Sequence, residues 1–259
     1  MDRVKDAEAS SGGNRFAAAV GRSCPRIRVD RARLHGRESG KRMRTDIRRF
    51  IFVFLIPVAL LTPLTASAEA DIERGEELFD LCRQCHGSDG GGIQMALAPA
   101  IAGIDEWYLK AQLEKFRSGI RGKNPHDVGG LRMYPMALSL REDRDLADVA
   151  AYVASLPPAR PEPVLEGGDA SKGAAIYVTC QQCHGPKAEG MQAQGGAPLR
   201  SSSDWYLYES LQKFKSGIRG SGTGDVFGSA MAGMARAFLP DEQAMKDVIA
   251  HVMTLRDPQ

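Results

Sequence analysis

A chain of 259 residues, 43% hydrophobic and 25% charged, has room for one or two globular domains. Its formal net charge of +2 hides a division: residues 1–68 hold 14 of the 34 basic and 6 of the 32 acidic side chains, leaving residues 69–259 with 20 against 26. The larger part is therefore mildly acidic, which excludes the one-sided basic character of a nucleic-acid binder.

In chain order, residues 1–42 are rich in Arg, Gly and Ser and show no apolar periodicity, so they cannot bury enough surface to fold. They read as an untranslated or disordered leader, with Met43 as the true start; a basic tail for RNA or membrane is the competing reading. Residues 43–68 have the three parts of a secretory signal. Arg44, Arg48 and Arg49 form the basic region, Phe50 to Leu61 is an apolar run broken only by Pro57, and Ala66-Ser67-Ala68 offers a cleavage site. The run falls short of the roughly 20 apolar residues a spanning helix needs. Cleavage is the expectation, with export to the periplasm and no stable membrane insertion afterwards.

Beyond that point one unit is written twice. LCRQCHG at residues 81–87 returns as TCQQCHG at 179–185, an offset of 98. The same offset relates Asp71 to Asp169, Gly75 to Gly173, Phe79 to Tyr177, Trp107 to Trp205 and Met133/Met136 to Met231/Met234. After one inserted residue, Leu140 matches Leu239 and Tyr152 matches His251. Two tandem domains follow, residues 71–157 and 169–256, joined by a Pro-rich linker at 158–168 that reads as short and semi-rigid.

Each unit reads as helical. Asp71 and Asp169 stand at N-cap positions before a helix that ends in the CxxCH motif. Asp105 and Ser203 are positioned to cap a Trp-Tyr-Leu helix, which Gly119 and Gly217 end at C′. DRDLADVAAYVASL and EQAMKDVIAHVMTL keep apolar residues at helical spacing. The loops between are long and rich in Gly and Pro, a sign that something other than side chains fills the core.

Two cysteines and a histidine at this spacing serve three chemistries. Zinc would join both CxxC pairs in one Cys₄ set, yet the pairs lie 98 residues apart and both histidines would be idle. A thioredoxin-like thiol pair needs a βαβ context and an attacking thiol at a helix N-terminus, whereas each motif here ends a helix. Covalent c-type haem uses all three residues: Cys82 and Cys85, or Cys180 and Cys183, hold the porphyrin, and His86 or His184 ligates iron. The remaining cysteine, Cys24, lies in the leader.

On these motifs, with the Gly-x-x-x-aromatic lead-in, the Met-x-x-Met and the LADVAAYVASL ending, the chain resembles bacterial class I cytochromes c, in particular the tandem di-haem periplasmic cytochromes of the cytochrome c-four type. The resemblance covers residues 71–256. It implies an all-α fold of two small helical domains, each wrapped around one covalent haem c, with first and last helices crossing at the small glycine and a loop methionine on the far face of iron. Met133 and Met136 lie 47 and 50 residues after His86, and Met231 and Met234 repeat both spacings from His184, so spacing does not separate them. The resemblance favours Met133 and Met231 as sixth ligands, with Met136 and Met234 as alternatives. His126 lacks a counterpart in the second half and reads as a loop residue; His251 reads as packing.

The resemblance also implies that Pro99 and Pro198 accept a hydrogen bond from the axial histidines. Arg121 and Arg219, in the repeated Ser-Gly-Ile-Arg-Gly, are candidates to pair with haem propionates; solvated loop arginines are the equal alternative. Trp107 and Trp205 are expected to pack. The function implied is a non-catalytic periplasmic carrier of single electrons. Its partners would be a donor dehydrogenase or quinol-oxidising complex and a terminal oxidase or reductase. A haem-bearing subunit of an alcohol or sulfide dehydrogenase is the alternative. A di-haem peroxidase or a thiosulfate-oxidising cytochrome is disfavoured by matched methionines and the absence of a spare cysteine.

Overall fold

The structure, a computed structural model, describes residues 69–256. The leader and signal expected at 1–42 and 43–68, and Cys24, lie outside the described residues. Within them the chain is helical, with isolated bridges between Ile93 and Ala98 and between Met191 and Gly196 in place of any strand. No described helix is long and apolar enough to cross a membrane.

The first half consists of α1 (Ile72–His86), α2 (Glu106–Arg117), α3 (Val128–Ser139) and α4 (Asp143–Ser155). The second repeats it as α5 (Ala170–His184), α6 (Asp204–Lys215), α7 (Val226–Phe238) and α8 (Glu242–Thr254). Asp71 caps α1 by accepting from the Arg74 N–H, and Asp169 caps α5 by accepting from Ser171 and Lys172. Gly119 and Gly217 follow α2 and α6 with φ of 73° and 77°, in the left-handed region where glycine ends a helix without strain. Asp105 and Ser203 hold the N-cap positions but make no side-chain cap bond. Ser203 Oγ instead accepts from the Ala100 N–H, 3.2 Å away in the other half.

The methionine-bearing stretch, expected as loop, is helical. Asp127 caps α3 through the Gly130 N–H and Asp225 caps α7 through the Gly228 N–H, each at 3.0 Å. Gly129, Gly130 and Pro135 lower the local helix propensity and mask the element in the sequence. Capping and packing override that weak preference.

In each half the first helix crosses the last. A Cβ at Gly75 would run into the backbone carbonyl of Asp148, and one at Gly173 into that of Asp247. The crossing therefore needs glycine, as the family resemblance implied. Phe79, Leu146, Val149 and Val153 are buried behind it in the first half, with Tyr177, Val248, Ile249 and Val252 in the second. A fully buried aromatic such as Phe79 contributes on the order of 2–3 kcal/mol. His251 packs beside the Tyr177 ring at 5.3 Å, where Tyr152 packs beside Phe79.

The segment between the halves is tied down along its length. The Asp204 carboxylate accepts from the Val164 and Leu165 N–H groups at 2.7 and 2.6 Å, and Arg256 donates to the Pro161 carbonyl. Ala159 N–H donates back to Ala102 in the first half.

The two halves meet through reciprocal contacts. Lys115 Nζ lies 2.7 Å from Asp225 Oδ1, and Lys213 Nζ lies 3.0 Å from Asp127 Oδ1. Arg121 donates to the Tyr206 hydroxyl at 2.9 Å, and Arg219 to the Tyr108 hydroxyl at 3.4 Å. Each pair is the other's image at the 98-residue offset, the pattern of a two-fold, isologous interface.

Candidate functional site

Each half places its CxxCH motif on the last turn of its first helix, which sets Cys82 and Cys85, or Cys180 and Cys183, beside a histidine at the helix end. His86 is 6% exposed. The chain then turns back, with the Gly92 N–H bonded to the His86 carbonyl and the Ile93–Ala98 bridge closing the loop. That fold-back aims the Pro99 carbonyl at the imidazole, where it accepts from His86 Nδ1–H at 2.8 Å. In the second half His184 Nδ1–H donates to the Ala197 carbonyl at 2.7 Å.

Pro198, expected as that acceptor, is therefore displaced by Ala197. The register is set by the bridge, Ile93–Ala98 in one half and Met191–Gly196 in the other, and the acceptor is the residue after it. A backbone carbonyl does the work, and any residue supplies one. The proline merely follows one position later.

With Nδ1–H committed to a carbonyl, each imidazole keeps its Nε2 lone pair free for a metal. Burial lowers the pKa of both rings, only partly opposed by those hydrogen bonds, so both stay neutral. The Cys82 thiol goes the other way: burial, helped by the charge of Cys85, pushes it up to about 11. An attacking thiol needs the opposite shift. Among the described residues no three His, Cys, Asp or Glu side chains converge as a metal cluster.

The motifs open onto one continuous cavity of about 360 Å³ that runs through both halves. Its walls are apolar, with Phe79, Ile101 and Leu109 in the first half and Tyr177, Leu199 and Leu207 in the second. Met133 and Met136 line it from α3, and Met231 and Met234 from α7. Each pair lies one helical turn apart, so both members face the cleft. Met136 and Met234 are the more exposed, at 37% and 36%, while Met231 packs against the core of its half. His126 is exposed and does not line the cavity. Neither Trp107 nor Trp205 lines it.

Arg121 and Arg219 both line the cavity at the junction of the halves. They are not solvated loop arginines: each guanidinium stacks on a phenylalanine, Phe116 at 4.4 Å and Phe214 at 4.5 Å, and Arg219 is 9% exposed. Burial opposes ionisation of the Tyr206 phenol between them, yet the two guanidiniums and bonds from Arg121 and Ser210 outweigh it and hold the phenol below its ordinary range. A place that favours a phenolate favours a carboxylate too. Arg121 Nε is buried with no hydrogen-bond partner among the described residues, a donor left for an anion.

These features fit covalent haem: two thiols on one helical turn, an oriented neutral imidazole, an apolar cavity lined by thioethers and a cationic rim. Sequence reasoning missed Tyr108, Tyr206, Gln112 and the Lys–Asp pairs. For the tyrosines, lysines and aspartates the signal was identity at the 98-residue offset, whereas Gln112 aligns with Ser210; a repeated polar residue on a helix reads as surface until its partner half is in place.

The cytochrome c family profile matches residues 72–157 and again 170–256. The chain is 30% identical over 217 residues to a thiosulfate dehydrogenase electron acceptor of Stutzerimonas stutzeri strain A1501, covering 76% of this chain and 94% of that one. Reduced cytochrome c4 from Pseudomonas stutzeri superposes with a TM-score of 0.57 at 26% identity, covering 71% of this chain and 97% of that one. A thiosulfate dehydrogenase (TsdBA) from Marichromatium purpuratum gives the same TM-score at 29% identity, but this chain spans only 40% of its length. Family profile, helical repeat and paired clefts agree: the chain belongs to the cytochrome c family, as a di-haem class I cytochrome c that carries electrons on two covalently attached haem c groups.

Proposed function

We propose that this chain is a periplasmic carrier that takes single electrons from a dehydrogenase, or a quinol-oxidising complex, and delivers them to a terminal oxidase or reductase, with no catalysis of its own. The observation that carries the reading is the cavity lined, in each half alike, by an oriented histidine and two methionines. Bound haem supplies reversible one-electron chemistry; the residues decide what else is possible. His86 with Met133, and His184 with Met231, would hold the two haem irons, which would leave no position for a substrate. The lower exposure of these two methionines supports them over Met136 and Met234. Thioether sulfur is a soft ligand that raises the potential relative to bis-histidine ligation. Apolar walls exclude water, and Arg121 and Arg219 would offset the buried charge of propionates.

For the donor, the relative from S. stutzeri supports a thiosulfate dehydrogenase. The excess of acidic residues after residue 68 supports partners with basic docking faces and association that weakens with salt. The secretory-signal pattern at 43–68 supports the periplasm. Export to the periplasm is checked by fractionating the native host; recovery in the cytosol refutes it.

The test of ligation is the optical spectrum of the oxidised holoprotein. Both haems are expected to be low-spin and to show the weak long-wavelength band given by methionine sulfur. Met133→Ala and Met231→Ala should each remove about half of that band, and Met136→Ala or Met234→Ala none. A high-spin ferric spectrum sinks the reading and revives the peroxidase. For the donor, purified thiosulfate dehydrogenase with thiosulfate should reduce the protein, and failure to do so at low salt excludes that donor.

A second reading, permanent residence as the haem subunit of a dehydrogenase, draws on the likeness to part of the longer M. purpuratum enzyme. Co-purification with a catalytic chain at high salt would establish it over the free carrier.

A further inference from the structure

Asp127 and Asp225 each do two jobs. Asp127 Oδ1 accepts the Gly130 N–H at 3.0 Å and so starts α3, and the same oxygen takes the Lys213 ammonium at 3.0 Å. Asp225 Oδ1 accepts the Gly228 N–H at 3.0 Å and so starts α7, and it takes Lys115 at 2.7 Å. Both carboxylates are buried, at 2% and 7% exposure, and the lysine side chains are largely covered too. α3 and α7 are the helices that bring the methionines to the clefts. Lys115 stands on α2 and Lys213 on α6, so neither lysine belongs to the half whose helix it holds. No described cation of its own half is within ion-pair distance of either carboxylate.

We propose that Lys213 and Lys115 are positioning residues that act in trans: each clamps the start of the methionine-bearing helix in the other half, so that methionine ligation of one haem depends on docking of the opposite half. The inference rests on methionine ligation as read above. A buried N-cap carboxylate without its cation is costly and draws water or a proton, and either weakens the bond to the helix N–H groups. The loosened first turn then transmits to Met133 or Met231 one to two turns along the same helix. The tight seat of the cap adds to this. The glycine that donates to each carboxylate is pressed against it so closely that a Cβ there would collide with the oxygen. The cap therefore has little freedom to find another partner.

The decisive pattern is a crossover. In the holoprotein, Lys213→Met is expected to remove about half of the methionine band and to remove or broaden the ring-current-shifted methyl resonance of the first-half methionine, leaving that of the second half in place. Lys115→Met is expected to do the reverse, and Lys213→Arg to restore the signals. Amide exchange at Gly130 should quicken roughly fivefold in Lys213→Met, the scale of a lost N-cap, without a matching change at Gly228. Wild-type protein with both methionine signals and a Lys213→Met variant that keeps both unchanged overturns the proposal while leaving the ligation reading intact. So does loss confined to the half that carries the mutated lysine. Absence of methionine signals from the wild type overturns the ligation reading and this proposal with it. If Lys213→Met fails to load haem, Lys115→Met decides by the same criteria on the second haem.

Discussion

The buried carboxylate of Asp148, on α4, accepts a hydrogen bond at 2.8 Å from the backbone N–H of Asp71, the residue that caps α1. Asp247 does the same for Asp169 in the second half, also at 2.8 Å. The last helix thus fixes where the first begins, and the first ends in the haem-binding motif. Arg74 and Arg144 share the Asp148 carboxylate. Asp148→Ala leaves the Asp71 N–H without its acceptor, while the half-exposed Arg74 and Arg144 keep Asp145, Asp71 and water. It should cost roughly 1–3 kcal/mol of stability, as should Asp247→Ala, which takes the acceptor from the Asp169 N–H. Denaturant unfolding of the holoprotein measures it, and a loss below about 1 kcal/mol would show that the tie is dispensable.

Haem attachment is separable by half. Replacing Cys180 and Cys183 together by alanine should give a chain whose mass falls by one haem while the first cleft keeps its absorption. Replacing Cys82 and Cys85 should give the converse. Intact-protein mass spectrometry reads both; two haems retained in either variant would contradict covalent attachment at these cysteines.

Acid should loosen the join between halves. Burial raises the pKa of Asp127, but the hydrogen bond and charge of Lys213 outweigh it, and the net shift is downward. A carboxyl with a lowered folded-state pKa stabilises above its unfolded value of about 3.9, and that contribution is lost as pH falls through the folded value. Burial lowers the pKa of Lys213, but Asp127 and Glu209 outweigh it, and the net shift is upward. Its contribution is complete below about 10.4 and is lost as pH rises through the folded value. Docking should therefore hold across the neutral range and give way below about pH 4. Asp127→Asn should flatten the acid limb. Small-angle scattering against pH follows the separation, and an unchanged acid limb in the variant would refute the assignment.

Removing positive charge from the cavity rim should lower the reduction potentials, because the ferric state is the more positive one. Arg219→Gln is expected to lower the second-half potential by on the order of 60 mV, a tenfold change for one electron. It should also shift the first, since Arg219 reaches Tyr108 and Gln112 across the join. Spectroscopic redox titration separates the two steps. A potential that rises or stays fixed would show that the guanidinium does not face the haem.

The repeat and both CxxCH motifs were legible because covalent chemistry demands fixed spacing. The crossing at Gly75 was legible only through the family resemblance; the structure supplies the reason, since a Cβ there would meet the Asp148 carbonyl. Ala197 was hidden by residue type: a proline beside it drew the eye, while the acceptor is main chain and carries no sequence mark. α3 and α7 were hidden because glycine and proline argue against helix locally, and the favourable caps count only once Asp127 and Asp225 are buried. The roles of Lys115 and Lys213 were hidden more deeply. A lysine on an amphipathic helix looks solvated from one half alone, and its partner lies 110 residues away for Lys115 and 86 for Lys213.

The reciprocal join has a consequence for either half taken singly. Lys115, Arg121, Tyr108 and Asp127 present to the second half what their counterparts present in return, so each half carries a face that is nearly its own complement. A half freed from the chain should therefore pair with a copy of itself. The architecture reads as a duplicated homodimer made permanent: the segment at 158–168 replaces a concentration-dependent encounter with a tethered one. Dilution, which would part such a dimer, leaves the joined pair of haem sites together.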